Sequence, residues 1–489
     1  MAAVAPTFDA CGVHIVEDPA KGKVVISDRS FEAGQVIFVE DAFVYASWST
    51  NVCDGCEEDK DDENAPCHCD RTGSPKEMYT PALQKDAVRR DEIVQTMREL
   101  EGIGEVDRAR CILKCLAMFE RDPKSLDEVF ECACANVDRC DEEATELRNL
   151  VPEIYPPGFT NEQMATLIGV FNTNAHELEN LGGSGLFLSA CRMEHNCSPN
   201  CSFTTYDDKL WMTAIRPIKE GEALSIDYGN FFYRPTEERM TSLFETYGFV
   251  CTCETCTVQP DTCRSFKCTS PSCTDGAIWP YPRKSEQPIE DPEELEYDWK
   301  CGDCGHVPTD EEVDSFEAAE QELLENDLPE TVDGVDEYVK TSPLHKRHYL
   351  LFWALDAIGC EAAALSSVAE EEEDQKQLAE VWKRIIEYMN VVVPYAHHEK
   401  TIYYDNLAQV QVVLGNLNGA RDAYRQAYDI SCIVSGAECE PTLKLKNLSE
   451  NPPTTAEEVR KLYANVKRRE DEEDDDEEWE DDEEEEATA

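Results

Sequence analysis

A run of thirteen residues, Cys191 to Phe203, combines three cysteines, a histidine, a glutamate and two asparagines in the order CRMEHNCSPNCSF. Side chains of these types bind metals or hydrogen-bond small polar ligands. Further along, CTCETC places three cysteines close together: Cys251, Cys253 and Cys256. A structural zinc ion takes four ligands in a tetrahedron, and this triplet supplies three of them. Cys197 is available as the fourth ligand.

A second group of cysteines follows this triplet. It consists of a C-x4-C pair and a CGDCG knuckle, made by Cys268, Cys273, Cys301 and Cys304. The glycines after the last two cysteines permit tight turns that aim the sulfur atoms inward. We predict a second zinc site here, and Cys263 and His306 are rival ligands for it. A third group, Cys53, Cys56, Cys67 and Cys69, fits either one zinc ion or free thiols.

The overall charge restricts the choice of partners. Forty-four Lys and Arg against 104 Asp and Glu give a net charge of −60. Such a surface repels nucleic acid and attracts basic proteins. Sixteen of the last twenty residues are acidic, so we predict a disordered tail over residues 469–489 that binds basic proteins.

The N-terminal stretch shows no pattern of a signal peptide, and no segment has the apolar length of a membrane span. We therefore expect a protein of the cytoplasm, the nucleus or both, without membrane contact. In a reducing compartment, clustered cysteines favour zinc over disulfides.

Hydrophobic patterning divides the chain into β-rich and helical parts. Strand-forming runs such as KVVI and QVIFVE fall within residues 12–46, and strand signals return in CSFTTYDDKLWMTAIRPI and EALSIDYG, on either side of a turn at 216–222. Helical spacing is found over residues 82–150, 160–180 and 343–435. Residues 251–306 are cysteine-rich and irregular in pattern. Cys111 and Cys115, one helical turn apart, are expected to be buried core thiols.

Three segments occur in a suggestive order: EHNCSPNC (194–201), GEALSIDYGNFF (221–232) and ETYGFVCTC (245–253). They resemble the SET domain of protein lysine methyltransferases, and more narrowly the SET–MYND subfamily. The resemblance runs from Gly22 to Cys256, is most specific from Leu186 to Cys256, and continues into the C-terminal helices. It implies an α+β fold with a β-rich SET domain that contains a knot-like crossing, a cysteine-rich zinc-binding post-SET region, and an all-α repeat-like C-terminal domain.

The same resemblance implies a division of the chain into seven segments. These are the N-terminal part of the SET domain at 1–46, a degenerate MYND-like insert at 47–80, a helical insert at 81–180, the C-terminal part of the SET domain at 181–250, the post-SET region at 251–310, helices at 340–468 and the acidic tail at 469–489. A full MYND finger binds two zinc ions. The four cysteines of this insert suffice for one at most.

Functional roles transfer from the family by position. The resemblance implies S-adenosylmethionine contacts at Gly22, Lys23, Asn174, Glu194, His195, Tyr228 and Phe249, with Tyr228 as the catalytic tyrosine. It also implies Cys197 as the fourth ligand of the first zinc site. Three positions depart from the pattern: Glu194 replaces an asparagine, Val24 a glycine, and His176 a phenylalanine.

The activity implied is transfer of a methyl group from S-adenosylmethionine to a lysine of a protein substrate, with a histone tail as one candidate. A dry aromatic channel would lower the pKa of the incoming lysine, and Tyr228 would orient its amine. The departures at Val24 and Glu194 leave an alternative open. It is a SET-like scaffold of weak or no catalytic activity that binds basic proteins.

Overall fold

The computed structural model describes residues 8–18, 22–48, 79–135, 137–284, 289, 291–365 and 372–463. Two predictions lie outside these ranges: the third cysteine group at Cys53, Cys56, Cys67 and Cys69, and the acidic tail at 469–489. Within the described ranges, helices and small sheets are both present, and their bounds are given below in chain order.

In the part of the N-terminal half that the structure describes, ten short strands form four small sheets. The strands are β1 (Val13–Asp18), β2 (Gly22–Ser27), β3 (Val36–Asp41), β4 (Val44–Ser47), β5 (Ala175–Leu178), β6 (Gly183–Leu186), β7 (Glu194–His195), β8 (Cys201–Tyr206), β9 (Lys209–Ala214) and β10 (Ser225–Ile226). The sheets have the orders β1-β2, β3-β9-β8, β4-β6-β5 and β10-β7. Apolar side chains from these strands and from the segments that connect them form one buried core, with members such as Phe31, Phe38, Phe187 and Met212.

The pair formed by β7 and β10 is parallel, although the rest of this half is antiparallel. The buried amide of Asn200 joins the two segments, because it donates to the carbonyl of Ala223 at 2.8 Å and accepts from the Ser225 amide at 2.8 Å. The Asn196 amide also donates to the carbonyl of Ile226 at 2.9 Å. These hydrogen bonds fix the EHNCSPNC segment (194–201) against the LSIDY segment (224–228).

A helical insert separates β4 from β5. Its helices are α2 (Pro81–Lys85), α3 (Ala87–Arg98), α4 (Val106–Arg121), α5 (Val137–Leu150) and α6 (Asn161–Asn174), and a short helix, α1 (Phe8–Cys11), precedes β1. Cys111 and Cys115 are fully buried on α4. The predicted helix over 160–180 begins at a Thr160–Gln163 capping box but ends at Asn174, where the chain turns into β5.

The post-SET region is more regular than its sequence suggests. Helix α7 (Thr236–Tyr247) leads into it and ends at Gly248, whose φ of 74° places it in the left-handed region. After α8 (Glu254–Thr257), the strands β11 (Phe266–Lys267), β12 (Ala277–Pro282) and β13 (Tyr297–Cys301) form an antiparallel sheet. The expectation of irregular structure over 251–306 was wrong because the cysteine spacing hides these short strands.

The regular elements of the C-terminal region are helices throughout its described residues, 310–365 and 372–463. It comprises α9 (Asp310–Glu325), α10 (Val332–Thr341), α11 (Tyr349–Leu365), α12 (Glu372–Val392), α13 (His398–Val413), α14 (Leu417–Val434), α15 (Glu440–Glu450) and α16 (Ala456–Tyr463). Trp382, Phe352 and Tyr403 lie in its main core. His398 connects this region to β8, since its Nε2 lies 3.0 Å from both the Thr204 hydroxyl and the carbonyl of Phe203.

The predicted mixture of β-rich and helical parts with a C-terminal helical region is confirmed. The repeat-like character of those helices and the seven segment boundaries stay predictions. Among the residues that the structure describes, none of the helices combines the length and apolar content that a bilayer crossing demands.

Candidate functional site

A cleft of about 960 Å³ opens where the β1–β2 hairpin, the end of α6, the 190–196 segment and the 247–253 segment meet. Its walls include every residue assigned to the cofactor from the sequence: Gly22, Lys23, Asn174, Glu194, His195, Tyr228 and Phe249. These residues come from five separate stretches of chain. The structure therefore brings the whole predicted set together, while the role of each residue stays a prediction.

Tyr228 lies two residues beyond the end of β10 and is held from both sides. Its backbone amide donates to Nδ1 of His195 at 3.2 Å, and its hydroxyl donates to the carbonyl of Met193 at 2.5 Å. Burial raises the pKa of the phenol above its ordinary value, with smaller contributions from Tyr247 and Glu194. Tyr228 is consequently a neutral hydrogen-bonding group at the cleft wall.

Two further aromatic residues stand beside Tyr228. The ring of Tyr247 lies 4.9 Å from that of Tyr228, and its hydroxyl donates to the Tyr228 carbonyl at 3.3 Å. Phe249 meets Tyr228 edge to face, with ring centroids 6.5 Å apart. Burial also raises the pKa of Tyr247. The three rings form a weakly polar wall that suits a partly desolvated cation.

Four thiols meet next to this wall. The sulfur atoms of Cys197, Cys251, Cys253 and Cys256 all lie within 4.8 Å of one another. The Cys197 sulfur is 3.9 Å from that of Cys251 and 3.4 Å from that of Cys256. A tetrahedral zinc ion with Zn–S bonds of about 2.3 Å separates its sulfur ligands by about 3.8 Å. The donor set therefore fits one zinc ion.

Polar neighbours complete this thiol group. Nε2 of His195 lies 3.2 Å from the Cys197 sulfur, and the buried guanidinium of Arg239 donates to the Cys256 sulfur at 3.7 Å. Donors of this kind stabilise thiolate ligands and fix their orientation. Because the same imidazole accepts from the Tyr228 amide, His195 connects the metal ligands to the aromatic wall.

The second predicted zinc group also assembles. The sulfur atoms of Cys268, Cys273, Cys301 and Cys304 lie within 4.8 Å of one another. The two rival ligands, Cys263 and His306, are not part of this thiol group. The Cys263 thiol donates to Asp261 at 3.1 Å, and the His306 ring lies 2.9 Å from the Thr269 hydroxyl. None of these four cysteines lines the cleft. We therefore expect this site to stabilise the post-SET sheet.

Comparisons with known proteins give the fold a context. The family model described as SET domain matches residues 22–229. N-lysine methyltransferase SMYD2-B of Xenopus laevis is 25% identical over 287 residues, which are 51% of this chain and 61% of that protein. Histone-lysine N-methyltransferase SMYD1 of Homo sapiens is 25% identical over 282 residues, 50% of this chain and 55% of that protein.

A viral relative matches a shorter stretch. The putative SET domain-containing protein L678 of Acanthamoeba polyphaga mimivirus is 31% identical over 108 residues, 22% of this chain and 41% of that protein. The chain thus spans less than two thirds of the length of these relatives.

Residues 22–229 are thus similar to the SET domain. The matched range runs from the β1–β2 hairpin to Gly229, one residue beyond Tyr228, and includes six of the seven predicted cofactor residues. The SMYD relatives confirm the predicted resemblance to SET–MYND proteins.

The matched range accommodates the departure at Val24 without disturbing the cleft. Gly22 has a φ of 75°, and a Cβ there would meet nothing within 4 Å, so the chain is open to the cleft at this position. Val24, which replaces the second glycine, is buried in β2 opposite Val16 and is not part of the cleft lining. Lys23 forms an ion pair of 3.0 Å with Glu131 at the rim.

His176 stands where the resemblance predicts a phenylalanine, and it lines the cleft. Its ring lies 4.7 Å from Phe203 and 5.8 Å from Phe187, both edge to face. Burial lowers its pKa to about 4, so it is a neutral ring at ordinary pH. Asn174, two residues earlier, donates to the carbonyl of Ala133 at 2.8 Å, which ties the cleft to the helical insert.

Sequence reasoning missed Tyr247 and the loop 131–135 as parts of the site. Tyr247 belongs to the ETYGFVCTC segment, but only its neighbour Phe249 was assigned a role there. The signal was available, because a tyrosine two residues before an assigned wall residue can reach the same cleft. The loop carried no comparable signal, since its place depends on long-range packing of the insert.

Proposed function

We propose that this protein is an S-adenosylmethionine-dependent protein lysine methyltransferase. The observation that carries the proposal is the position of Tyr228. Its phenol lies in a SET-domain cleft that also gathers the predicted cofactor residues, next to a four-thiol group that fits zinc. The similarity to proteins named as lysine methyltransferases supports the same activity.

Gly22, Lys23, Asn174, Glu194, His195 and Phe249 would hold the cofactor. When bound, S-adenosylmethionine supplies a methyl group on a cationic sulfur. The open backbone at Gly22 allows close approach, and the side chain and backbone of Glu194 offer acceptors for a cationic group. The rings of Phe249 and His176 exclude water from the walls of the cleft.

Tyr228 and Tyr247 would position the substrate lysine. Their two rings lie 4.9 Å apart, and burial keeps both phenols neutral. An ammonium group that enters this aromatic surrounding loses hydration, so its pKa falls and the neutral amine becomes available. The oxygen atoms of the two tyrosines then fix the direction of the amine lone pair, which is the main contribution of the protein to the rate.

The substrate would be a protein with an accessible lysine in a basic segment, and a histone tail is one candidate. The net charge of −60 favours association with such a segment and disfavours nucleic acid. The acidic tail at 469–489 would contribute by binding basic proteins. We propose that the protein acts in the cytoplasm, the nucleus or both, where reducing conditions would keep the eight clustered thiols available to zinc.

Two measurements on the purified chain test the activity. Calorimetry with S-adenosylmethionine should show saturable binding, and labelled cofactor should transfer its methyl group to lysines of core histones or of a protein extract. Mass spectrometry should place the label on lysine side chains. Binding without any transfer, across the extract, would contradict the enzyme assignment.

The replacement of asparagine by Glu194 favours a second candidate, a SET-like scaffold that binds basic proteins without turnover. It predicts that calorimetry detects no cofactor binding at millimolar concentration while basic proteins still bind. If Glu194→Asn then restored cofactor binding, the carboxylate would be the cause of the lost activity. Saturable cofactor binding together with methyl transfer by the unchanged chain excludes this candidate.

A further inference from the structure

The segment at 229–233, directly after Tyr228, has an unusual backbone. Asn230 and Tyr233 have φ angles of 51° and 55°, in the left-handed region that residues with a side chain avoid. Across the residues that the structure describes, only one other non-glycine residue, Asp207, has such an angle. A bulky residue such as Tyr233 keeps this conformation only where its surroundings hold it there. The contacts of the segment therefore compensate for a strained backbone.

Asn230 is fastened to helix α13. Its side-chain amide donates to Oε1 of Glu399 at 3.1 Å, and Glu399 lies in the first turn of that helix. Asn230 itself is exposed, so burial does not hold it in the left-handed region. The hydrogen bond that anchors it comes from a residue 169 positions later in the chain.

Tyr233 is fastened to helix α11. Its ring stacks on that of Phe352, with centroids 3.7 Å apart and planes 7° from parallel. Its hydroxyl donates to the carbonyl of Arg347, just before the helix, at 3.1 Å. Phe232, the residue before Tyr233, packs against His397 with ring centroids 4.9 Å apart. Two helices of the C-terminal region thus hold the same short segment.

The other end of this segment is joined to the backbone of Tyr228. The carboxylate of Asp227 accepts from the amides of Gly229 at 3.3 Å and Phe231 at 2.7 Å, so a tight turn closes around Tyr228. The Tyr228 carbonyl belongs to this turn and accepts from the Tyr247 hydroxyl at 3.3 Å. A rotation of the peptide after Tyr228 would break that contact and shift the phenol relative to Tyr247. The shape of the turn and the direction of the phenol are therefore linked.

We propose that Asn230 and Tyr233 are positioning residues through which helices α13 and α11 hold the phenol of Tyr228 in the direction that methyl transfer requires. The inference rests on the proposed function and gives the C-terminal helices a part in it. Neither residue lines the cleft, so both act through Tyr228 and not on a ligand. Their loss should therefore lower the rate of the reaction and leave cofactor affinity unchanged.

Two variants of the full chain remove one fastening each. Glu399→Ala removes the acceptor of Asn230, and Tyr233→Phe removes the hydroxyl but keeps the stacked ring. Each should lower kcat for methyl transfer by about fivefold, the size expected for the loss of one ordinary hydrogen bond. Calorimetry should show the wild-type Kd for S-adenosylmethionine in both. An unchanged kcat in both variants would overturn the proposal.

Two further variants control for the loss of a carboxylate. Glu399→Gln keeps an acceptor oxygen for Asn230 and should retain the wild-type kcat. Asp429→Ala is the matched control in the same region, because Asp429 accepts from Arg425 at 2.9 Å on the exposed face of α14. It should also retain the wild-type kcat. A loss in Asp429→Ala equal to that in Glu399→Ala would contradict the role of the contact with Asn230.

Combination with Tyr228→Phe separates positioning from a general effect on stability. Without the hydroxyl of Tyr228 there is no oxygen atom left to orient. Glu399→Ala should therefore cause no further loss of kcat in the Tyr228→Phe background, because two residues that act as one unit are not additive. Losses that multiply would show that Glu399 affects the reaction by another route, which would contradict the proposal.

Amide hydrogen exchange measured by mass spectrometry tests the fastening without any assay of activity. Glu399→Ala should speed exchange in the peptide that covers residues 228–233, since the turn opens more often when its anchor is lost. Asp429→Ala should not. Unchanged exchange in Glu399→Ala would overturn the proposal even if the protein is a methyltransferase. Absence of methyl transfer by the wild type would instead overturn the proposed function and the catalytic role of the turn, while the exchange result decides the fastening separately.

Discussion

The hydroxyl of Tyr228 donates a 2.5 Å hydrogen bond to the backbone carbonyl of Met193, the residue before the β7 segment Glu194–His195. This bond spans the two segments that the parallel β7–β10 pair brings together. It fixes the phenol at the cleft wall before any ligand arrives. The oxygen is thereby positioned by the same backbone that forms the predicted cofactor site.

Removal of this hydroxyl separates catalysis from binding. We expect Tyr228→Phe to lower the rate of methyl transfer by about 100-fold, because the amine loses an orienting oxygen atom. Cofactor affinity should change little, since the ring and its packing against Tyr247 remain. Labelled-methyl transfer and calorimetry on the same preparations measure the two effects. A full rate in the variant would remove Tyr228 from the mechanism.

Tyr247 should show the same behaviour to a similar degree. Its hydroxyl donates to the Tyr228 carbonyl, so Tyr247→Phe removes an oxygen from the aromatic wall and loosens the neighbouring backbone. We expect a loss of activity of at least about tenfold. Phe244→Leu is a suitable control on the same helix, because Phe244 is exposed and is not part of the cleft lining. A similar loss in the control would indicate a general disturbance of α7.

The two thiol groups should differ in their effect on the cleft. Cys197→Ser and Cys268→Ser should each lower the zinc content by one ion per chain, as measured by elemental analysis, because each removes one of four ligands. Only Cys197→Ser should also weaken cofactor binding. The reason is that the Cys197 sulfur contacts His195, and the imidazole of His195 accepts a hydrogen bond from the backbone amide of Tyr228. Cys268 and the three other cysteines of its site do not line the cleft.

Equal cofactor affinity in the two variants would contradict this division between a site that shapes the cleft and one that stabilises the post-SET sheet. Retention of the full zinc content in either variant would show that its four thiols do not form one metal site.

The motifs made much of the site predictable. Short-range spacing identified both four-thiol groups, and the resemblance placed Tyr228, His195 and Phe249 in one cleft from separate stretches of chain. The sheet of β11, β12 and β13 was missed because β11 has only two residues and β12 contains two prolines, which argue against a strand in a sequence. The contact of Ala133 with Asn174 was also missed, since it depends on how the insert packs and not on local sequence.

Burial of Glu40 should make stability depend on pH. Burial raises the pKa of this carboxyl from 4.5 to about 7, although the amides of Ser189 and Ala190 donate to it. The folded state therefore binds the proton more tightly than the unfolded state. The contribution of protonated Glu40 to the free energy of unfolding is complete below the pKa of the unfolded state. It is lost as the pH rises through about 7, and the loss amounts to about 3 kcal/mol.

Comparison of the wild type with Glu40→Gln isolates this contribution. Denaturant unfolding at about pH 5 and about pH 8 should show the wild type losing about 3 kcal/mol relative to the variant at the higher pH. The amide mimics the neutral acid and does not titrate. A pH-independent difference between the two proteins would show that Glu40 does not hold its proton in the folded state.

His176 should produce a dependence of the opposite sign. Burial lowers its pKa from 6.5 to about 4, so the unfolded state binds the proton more tightly. The contribution of the neutral His176 ring to the free energy of unfolding is complete above the pKa of the unfolded state. It is lost as the pH falls through about 4, and the loss is again about 3 kcal/mol. His176→Phe keeps the edge-to-face contacts with Phe187 and Phe203 and removes the titrating group.

The variant should therefore resist acid unfolding better than the wild type. The difference in unfolding free energy between the two proteins should grow steadily as the pH falls below the pKa of a free histidine, about 6.5. His14→Phe is the matched control, because His14 is partly exposed and pairs with Asp28 at the surface. If both variants shifted the acid transition equally, the effect would arise from the loss of any histidine and not from the buried ring at the cleft.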